Sequence, residues 1–152
     1  MSAKLGMNCK MFRSDAPLAD LEQATVEAAN WTEQTNVRDL TTDLETGEAD
    51  ITTRANDGWK ATLATLKNGS VEFEMVWDTD DAGFTAMQQA WLNSTTIGLA
   101  FLDGPIDEAG NQGPIGNWSV TNFSRSEPLD GAVLVKVTVK PVLITWWTSS
   151  TF

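Results

Sequence analysis

Val71, Phe73, Met75 and Trp77 alternate with Glu72, Glu74 and Val76, and Val133, Val135, Val137 and Val139 alternate with Leu134, Lys136 and Thr138. Only an extended strand turns successive side chains to opposite faces, so period-two patterning commits these segments to half-buried β-structure. Lys140 and Pro141 follow the second run, and the proline, which has no N–H to donate, weakens that strand or moves it to an edge. In the first run one face is apolar and the other largely acidic.

Further strands are expected along the chain. Leu5, Met7, Cys9 and Met11 alternate with polar Asn8 and Lys10 and read as a first strand, which gives Cys9 a buried or half-buried structural place. Residues 14–30 read mainly as connection, with room for a short helix near 18–26. A second strand is expected at 36–40, followed by a polar stretch at 41–48. Residues 50–53 and 59–66 read as strands on either side of an Asn56-Asp57-Gly58 turn, with a second turn at Asn68-Gly69. After strands at 96–102, 118–124 and 133–140, the pattern totals six to eight strands. The Gly- and Pro-rich stretch 103–116 reads as a loop, and Pro128 and Asp130-Gly131 as a turn.

A helix is expected at about 81–93. Asp80 or Asp81 can cap its N-terminus, and Phe84, Met87 and Trp91 recur along one core-facing side. Mostly strands with one flanking helix make a mainly β fold, a sandwich or barrel. The expected organisation is a β domain over residues 1–141 and a C-terminal tail over 142–152, whose Trp146, Trp147 and Phe152 pack on the domain or on a neighbour. With 152 residues the chain is long enough for one core without staples.

Composition bears mainly on chemistry. No histidine is present, which removes His-based nucleophile systems, the commonest general base and most zinc sites. One cysteine excludes an intrachain disulfide framework. The run Asp78-Thr79-Asp80-Asp81 resembles a calcium loop only in part, since Ala82 stands at the fifth ligand position and Gln89 at the twelfth. No enzyme activity, cofactor or metal is expected. Ten basic and 21 acidic residues give a formal charge of −11, which repels a phosphate backbone and excludes a clamp that grips nucleic acid by counterion release. The N-terminus lacks the apolar run of a signal peptide and no segment is apolar enough to span a bilayer.

Three segments in order, WTEQTNVRDL at 31–40, DGWKATLATLKNGSVEFEMVWD at 57–78 and VTNFSRSEPLDG at 120–131 leading into VKVTVKP at 135–141, resemble the tail tube (major tail) proteins of long-tailed phages and prophages. The resemblance covers residues 1–141. It implies a β-sandwich or barrel of the tail-tube type whose copies form hexameric rings, stacked into a hollow conduit for the genome. It implies an acidic lumen past which DNA slides without specific binding, with Glu72 and Glu74 as candidates for the lining. Ring stacking would fall to 41–50, extending toward Asp57, with Arg38, Asp39, Glu45 and Glu48 as contact candidates. Implied partners are further copies of the chain, a tape-measure protein and terminator or tip proteins, with no membrane. The implied location is the virion tail after synthesis in the host cytoplasm. Three alternatives stand beside this reading: the tube of a contractile or type VI-like injection machine, a β-sandwich module that binds carbohydrate or protein through its tryptophans, and, last, a hydrolase working through paired carboxylates.

Overall fold

A computed structural model describes residues 3–149. Its elements in chain order are β1 (Lys10–Ser14), α1 (Gln23–Ala28), β2 (Trp31–Glu33), β3 (Val37–Asp50), β4 (Thr62–Val76), α2 (Ala82–Asn93), β5 (Thr96–Leu102), β6 (Gln112–Ser126) and β7 (Leu134–Thr148). The strands form one seven-stranded sheet in the order β2-β1-β5-β6-β7-β4-β3, every pairing antiparallel. The sheet curls on itself. The Phe73 ring on β4 lies 6.3 Å from the Phe101 ring on β5, although β6 and β7 separate those strands in the sheet.

The period-two pattern builds the inside of the curl. Val71, Phe73 and Met75 of β4 meet Val135, Val137 and Val139 of β7, together with Leu99, Phe101 and Trp118, and all lie in one buried cluster. Helix α2 closes this cluster with Phe84, Met87 and Ala90. Asp81 is its N-cap: the carboxylate accepts from the Phe84 N–H at 2.8 Å and from Gln34 Nε2 at 2.8 Å. Gln34 is itself buried, and a side chain at Gly83 would strike its amide. The cap therefore also ties the β2–β3 connection to the helix. Replacing Asp81 by alanine is expected to cost about 1–2 kcal/mol, seen as a lower thermal midpoint with unchanged strand content.

A second cluster, with Phe12, Leu18, Val26, Ala100, Leu102, Ile115 and Trp147, fills the opposite face beneath α1. Between the clusters β5 is covered on both sides, which suits its nearly continuous apolar sequence.

Several elements differ from the sequence expectation, each for a local reason. The first strand starts at Lys10, because its last β5 partner there is Leu102; the preceding residues form a 3-10 turn at Gly6–Asn8. Cys9 closes that turn and is exposed, not buried as its alternating neighbours suggested. The short helix falls at Gln23–Ala28. Residues 41–48 are not a polar connection but the middle of β3, and Asn68-Gly69 is not a turn but the interior of β4. At Gly69 a Cβ would lie 2.6 Å from the movable Leu44 Cδ2 and 3.0 Å from the Asp43 carbonyl, a tight but not closed approach between the paired strands. The loop after β5 ends at Asn111 rather than at Gly116. Gly113 and Gly116 sit within β6, where a Cβ would come within 1.8 Å of the Phe101 carbonyl and 2.1 Å of the Leu143 carbonyl. These glycines mark close backbone approach, not a turn.

Pro141 does not end β7. It lies just past the Val71–Val139 pair where β4 leaves β7, at a register shift opposite Trp118, so the strand has become an edge on that side. Residues 142–148 continue β7 along β6. Trp147 is buried in the second cluster, while exposed Trp146 donates from Nε1 to Gln112 Oε1 at 3.0 Å. Phe152 lies outside the described residues.

Candidate assembly surfaces

Strands β6, β7, β4 and β3 present one polar face. Since Val71, Phe73 and Met75 point into the core, Glu72 and Glu74 point away from it, toward Thr138 and Lys136 of β7. Glu72 is exposed and Glu74 half-buried. Lys136 Nζ stands 3.7 Å from Glu72 Oε2, with both side chains about half exposed, so the pair is worth at most about 1 kcal/mol. Through the pairs Thr41–Glu72, Asp43–Ser70 and Glu45–Asn68, β3 adds Asp43 and Glu45 to the same face. Four carboxylates thus stand on it, with Lys136 and Lys140 as the cations of β7. Glu45, expected to serve stacking, shares a face with Glu72 and Glu74. Alternation along β3 turns Glu48 to the other side of the ribbon.

The four strands also leave two edges. On one side β3 has no further partner, and on the other β5 stops pairing at Ser119, so β6 runs on unpaired toward Ser126. An unpaired row of N–H and C=O groups is a template for another strand.

Past Val71, β4 has no β7 neighbour, and β3 and β4 continue as a two-stranded arm. Such a ribbon is marginal by itself in water. Its apolar residues find no core: Leu44, Ile51, Leu63 and Leu66 are all exposed, the last by 85%. The arm ends in a built tip. Ile51 N–H donates to the Ala61 carbonyl, and the Thr52 hydroxyl bridges the Ala61 N–H and carbonyl. Asn56 Oδ1 accepts from the Thr53 N–H at 2.7 Å, and Asp57 and Gly58 follow at positive φ. At the arm's base side of the tip, the Asp50 carboxyl is held below the usual carboxylate range, first by the Thr52 hydroxyl and then by its N–H.

A cleft of about 890 Å³ lies at the seam where the curled sheet fails to close, between the start of β3 and the ends of β1, β5, β6 and β7. Met11, Leu40, Phe101 and Trp146 supply apolar wall. Arg38 and Asp39 stand on its rim at a bulge between Val37 and Leu40. The expected stacking residues are therefore not one patch: Arg38 and Asp39 belong to the cleft, Glu45 and Glu48 to the arm. Sequence reasoning did not single out Trp59 or Leu66; the signal was an apolar, β-prone segment beyond the strand that fills the core. Among the described residues no three acidic or cysteine side chains gather to hold a metal, and no helix is long and apolar enough to cross a membrane.

The model of the family described as phage tail tube protein matches residues 13–141. The chain belongs to that family. No curated protein matches it in sequence. Among solved structures, the tail of an empty gene transfer agent particle, refined with C6 symmetry, aligns at a TM-score of 0.72 and 12% identity, covering 97% of this chain and all of that one. The SPP1 tail tube aligns at 0.66 and 16% identity, covering 99% of this chain and 81% of its own. An anti-feeding prophage baseplate chain aligns at 0.57 and 8% identity over 97% of each. At such identities the likeness is one of fold, and it is the mainly β tail-tube fold. In this tail tube protein the polar face, the two open edges and the arm are the surfaces left over once the core is built.

Proposed function

We propose that this tail tube protein acts by geometry and electrostatics, as the repeating subunit of a hollow virion tail through which the genome passes. The observation that carries the reading is the four-stranded β6-β7-β4-β3 unit, open at both edges and polar on its outer face. Copies joined edge to edge through β3 and the free part of β6 make a closed wall, which pairs both open edges of that four-stranded unit. The similar gene transfer agent tail has C6 symmetry, which supports six copies per ring. In that ring the face bearing Glu72, Glu74 and Asp43 lines the lumen, where negative charge keeps DNA from adhering. The arm with Glu45 and Glu48, and the rim with Arg38 and Asp39, meet between rings, as a head-to-tail contact requires two different surfaces. The likeness to anti-feeding prophage baseplate and cap structures supports partners at the two ends of the tube. A tape-measure protein inside it and synthesis in the host cytoplasm complete the reading.

Electron microscopy of concentrated protein tests it. Rings or hollow tubes are expected, and a monomer under all conditions would contradict the reading. In the same experiment Glu72→Lys/Glu74→Lys tubes should still form, since neither carboxylate belongs to the core. They should retain short duplex DNA at low salt and release it as salt rises, whereas unaltered tubes retain none.

A further inference from the structure

We infer that Trp59 at the tip of the arm is the anchor of the joint between copies, and that its receptor is the seam cleft of the next copy. The inference rests on the reading of the chain as a tube subunit and names the two surfaces that meet. Trp59 is 79% exposed, although tryptophan is among the residues that gain most from burial at an interface. Its backbone is held in place: the Trp59 N–H donates to the Asn56 carbonyl at 2.9 Å, behind the capped Thr53–Asn56 turn and the left-handed Asp57 and Gly58. A side chain presented on a pre-ordered turn loses little entropy on docking.

The chain cannot dock its own tip. The cleft is walled by Leu40 near the start of β3, and the tip begins after Asp50 at the end of the same strand. Thr42 is the last β3 residue in the cleft wall, and the eight steps of extended chain from it to Asp50 hold the two about 26 Å apart. A surface and its complement at opposite ends of one strand match only between different copies, related head to tail. Such contacts propagate without limit, which is the geometry of a stack.

Size and charge agree with this pairing. A cleft of about 890 Å³ with Met11, Leu40, Phe101 and Trp146 in its wall has room for an indole and its neighbours. The tip, residues 51–61, carries Arg54 and Lys60 against Asp57 alone, a net positive segment on a chain of charge −11. Around the cleft stand Glu33, Asp39 and Asp103 against Lys10 and Arg38, and Lys10 is already paired with Glu33 at 2.9 Å. The acidic excess of the rim faces the basic excess of the tip.

Two measurements test the joint. Trp59→Ala should raise the protein concentration needed for tube formation by roughly 30-fold or more, with Trp59→Phe restoring part of the loss. The unfolding temperature of the monomer should not move, since the side chain touches no core. Second, Cys9 lies in the cleft wall and is exposed, so a Lys60→Cys variant carries one thiol beside the anchor and one in the receptor. A short bismaleimide added to its tubes should yield a ladder of covalent dimers, trimers and longer chains, and Cys9→Ser should abolish the ladder. If the unaltered chain never assembles, the tube reading falls and takes this joint with it. If it assembles and Trp59→Ala assembles equally well, or the thiols fail to join between copies, the joint alone is overturned.

Discussion

A chain in which residues 44–69 are replaced by Asn-Gly should fold as a monomer and form no tubes at any attainable concentration. Asp43 and Ser70 face each other directly across β3 and β4, so a two-residue turn can close the hairpin at that pair. The excised segment contributes no side chain to either buried cluster. Its exposed Leu44, Leu63 and Leu66 gain almost nothing in the isolated subunit. Unfolding free energy should therefore stay within about 1 kcal/mol of the parent, read from urea denaturation. Assembly should be lost because the surface removed is the one with no partner inside the chain. Tubes of normal appearance from the shortened chain would assign all cohesion to the sheet edges and remove the arm from the joint.

Trp118→Ala should have the largest effect on folding. Trp118 is fully buried, its Nε1 donates to the Leu99 carbonyl at 3.2 Å, and its ring meets Phe101 edge-on at 5.2 Å. It sits on β6 between Ile97 of β5 and Pro141 of β7, at a register shift in the β6–β7 ladder. Truncation leaves a cavity that this central position cannot collapse, at a cost of about 3–5 kcal/mol. Against a typical domain stability of about 5–15 kcal/mol, that removes between about a fifth and the whole of it. The check is the denaturation midpoint: a loss under about 1 kcal/mol would mean that the ring does not hold the core. Assembly of Trp118→Ala should fall only in proportion to its folded fraction, which separates it from the arm deletion.

How much of this was legible beforehand differs from element to element. Helix α2 was legible to within a residue, because a cap at Asp81 and the Phe84 and Met87 spacing are both local signals. The cores of β4, β5 and β7 were legible because burial on one or both faces imposes its period on the sequence. The ends of strands were not. Residues 41–48 and 67–70 were missed as strand because most of their side chains face solvent and no burial pattern marks them, whereas 59–66 read as strand on β-propensity alone. Gly113 and Gly116 carry the composition of a loop, and only the backbones packed against them reveal why glycine stands there.

The candidate site divides in the same way. Glu72 and Glu74 were legible as an outward face, because alternation with buried neighbours fixes which way they point. That Glu45 joins them, and that Arg38 and Asp39 stand at the other end of the strand beside a cleft, depends on the pairing register and on the bulge between Val37 and Leu40. The chain alone determined its β-rich class, its helix and the sign of its surface charge, since each follows from local spacing or from counting. Tertiary structure decided that β3 and β4 outrun the sheet, that the seam stays open, and that Trp59 stands at the far end of the strand from it. Those facts depend on which strands stop pairing and where, a property of contacts between residues far apart in sequence.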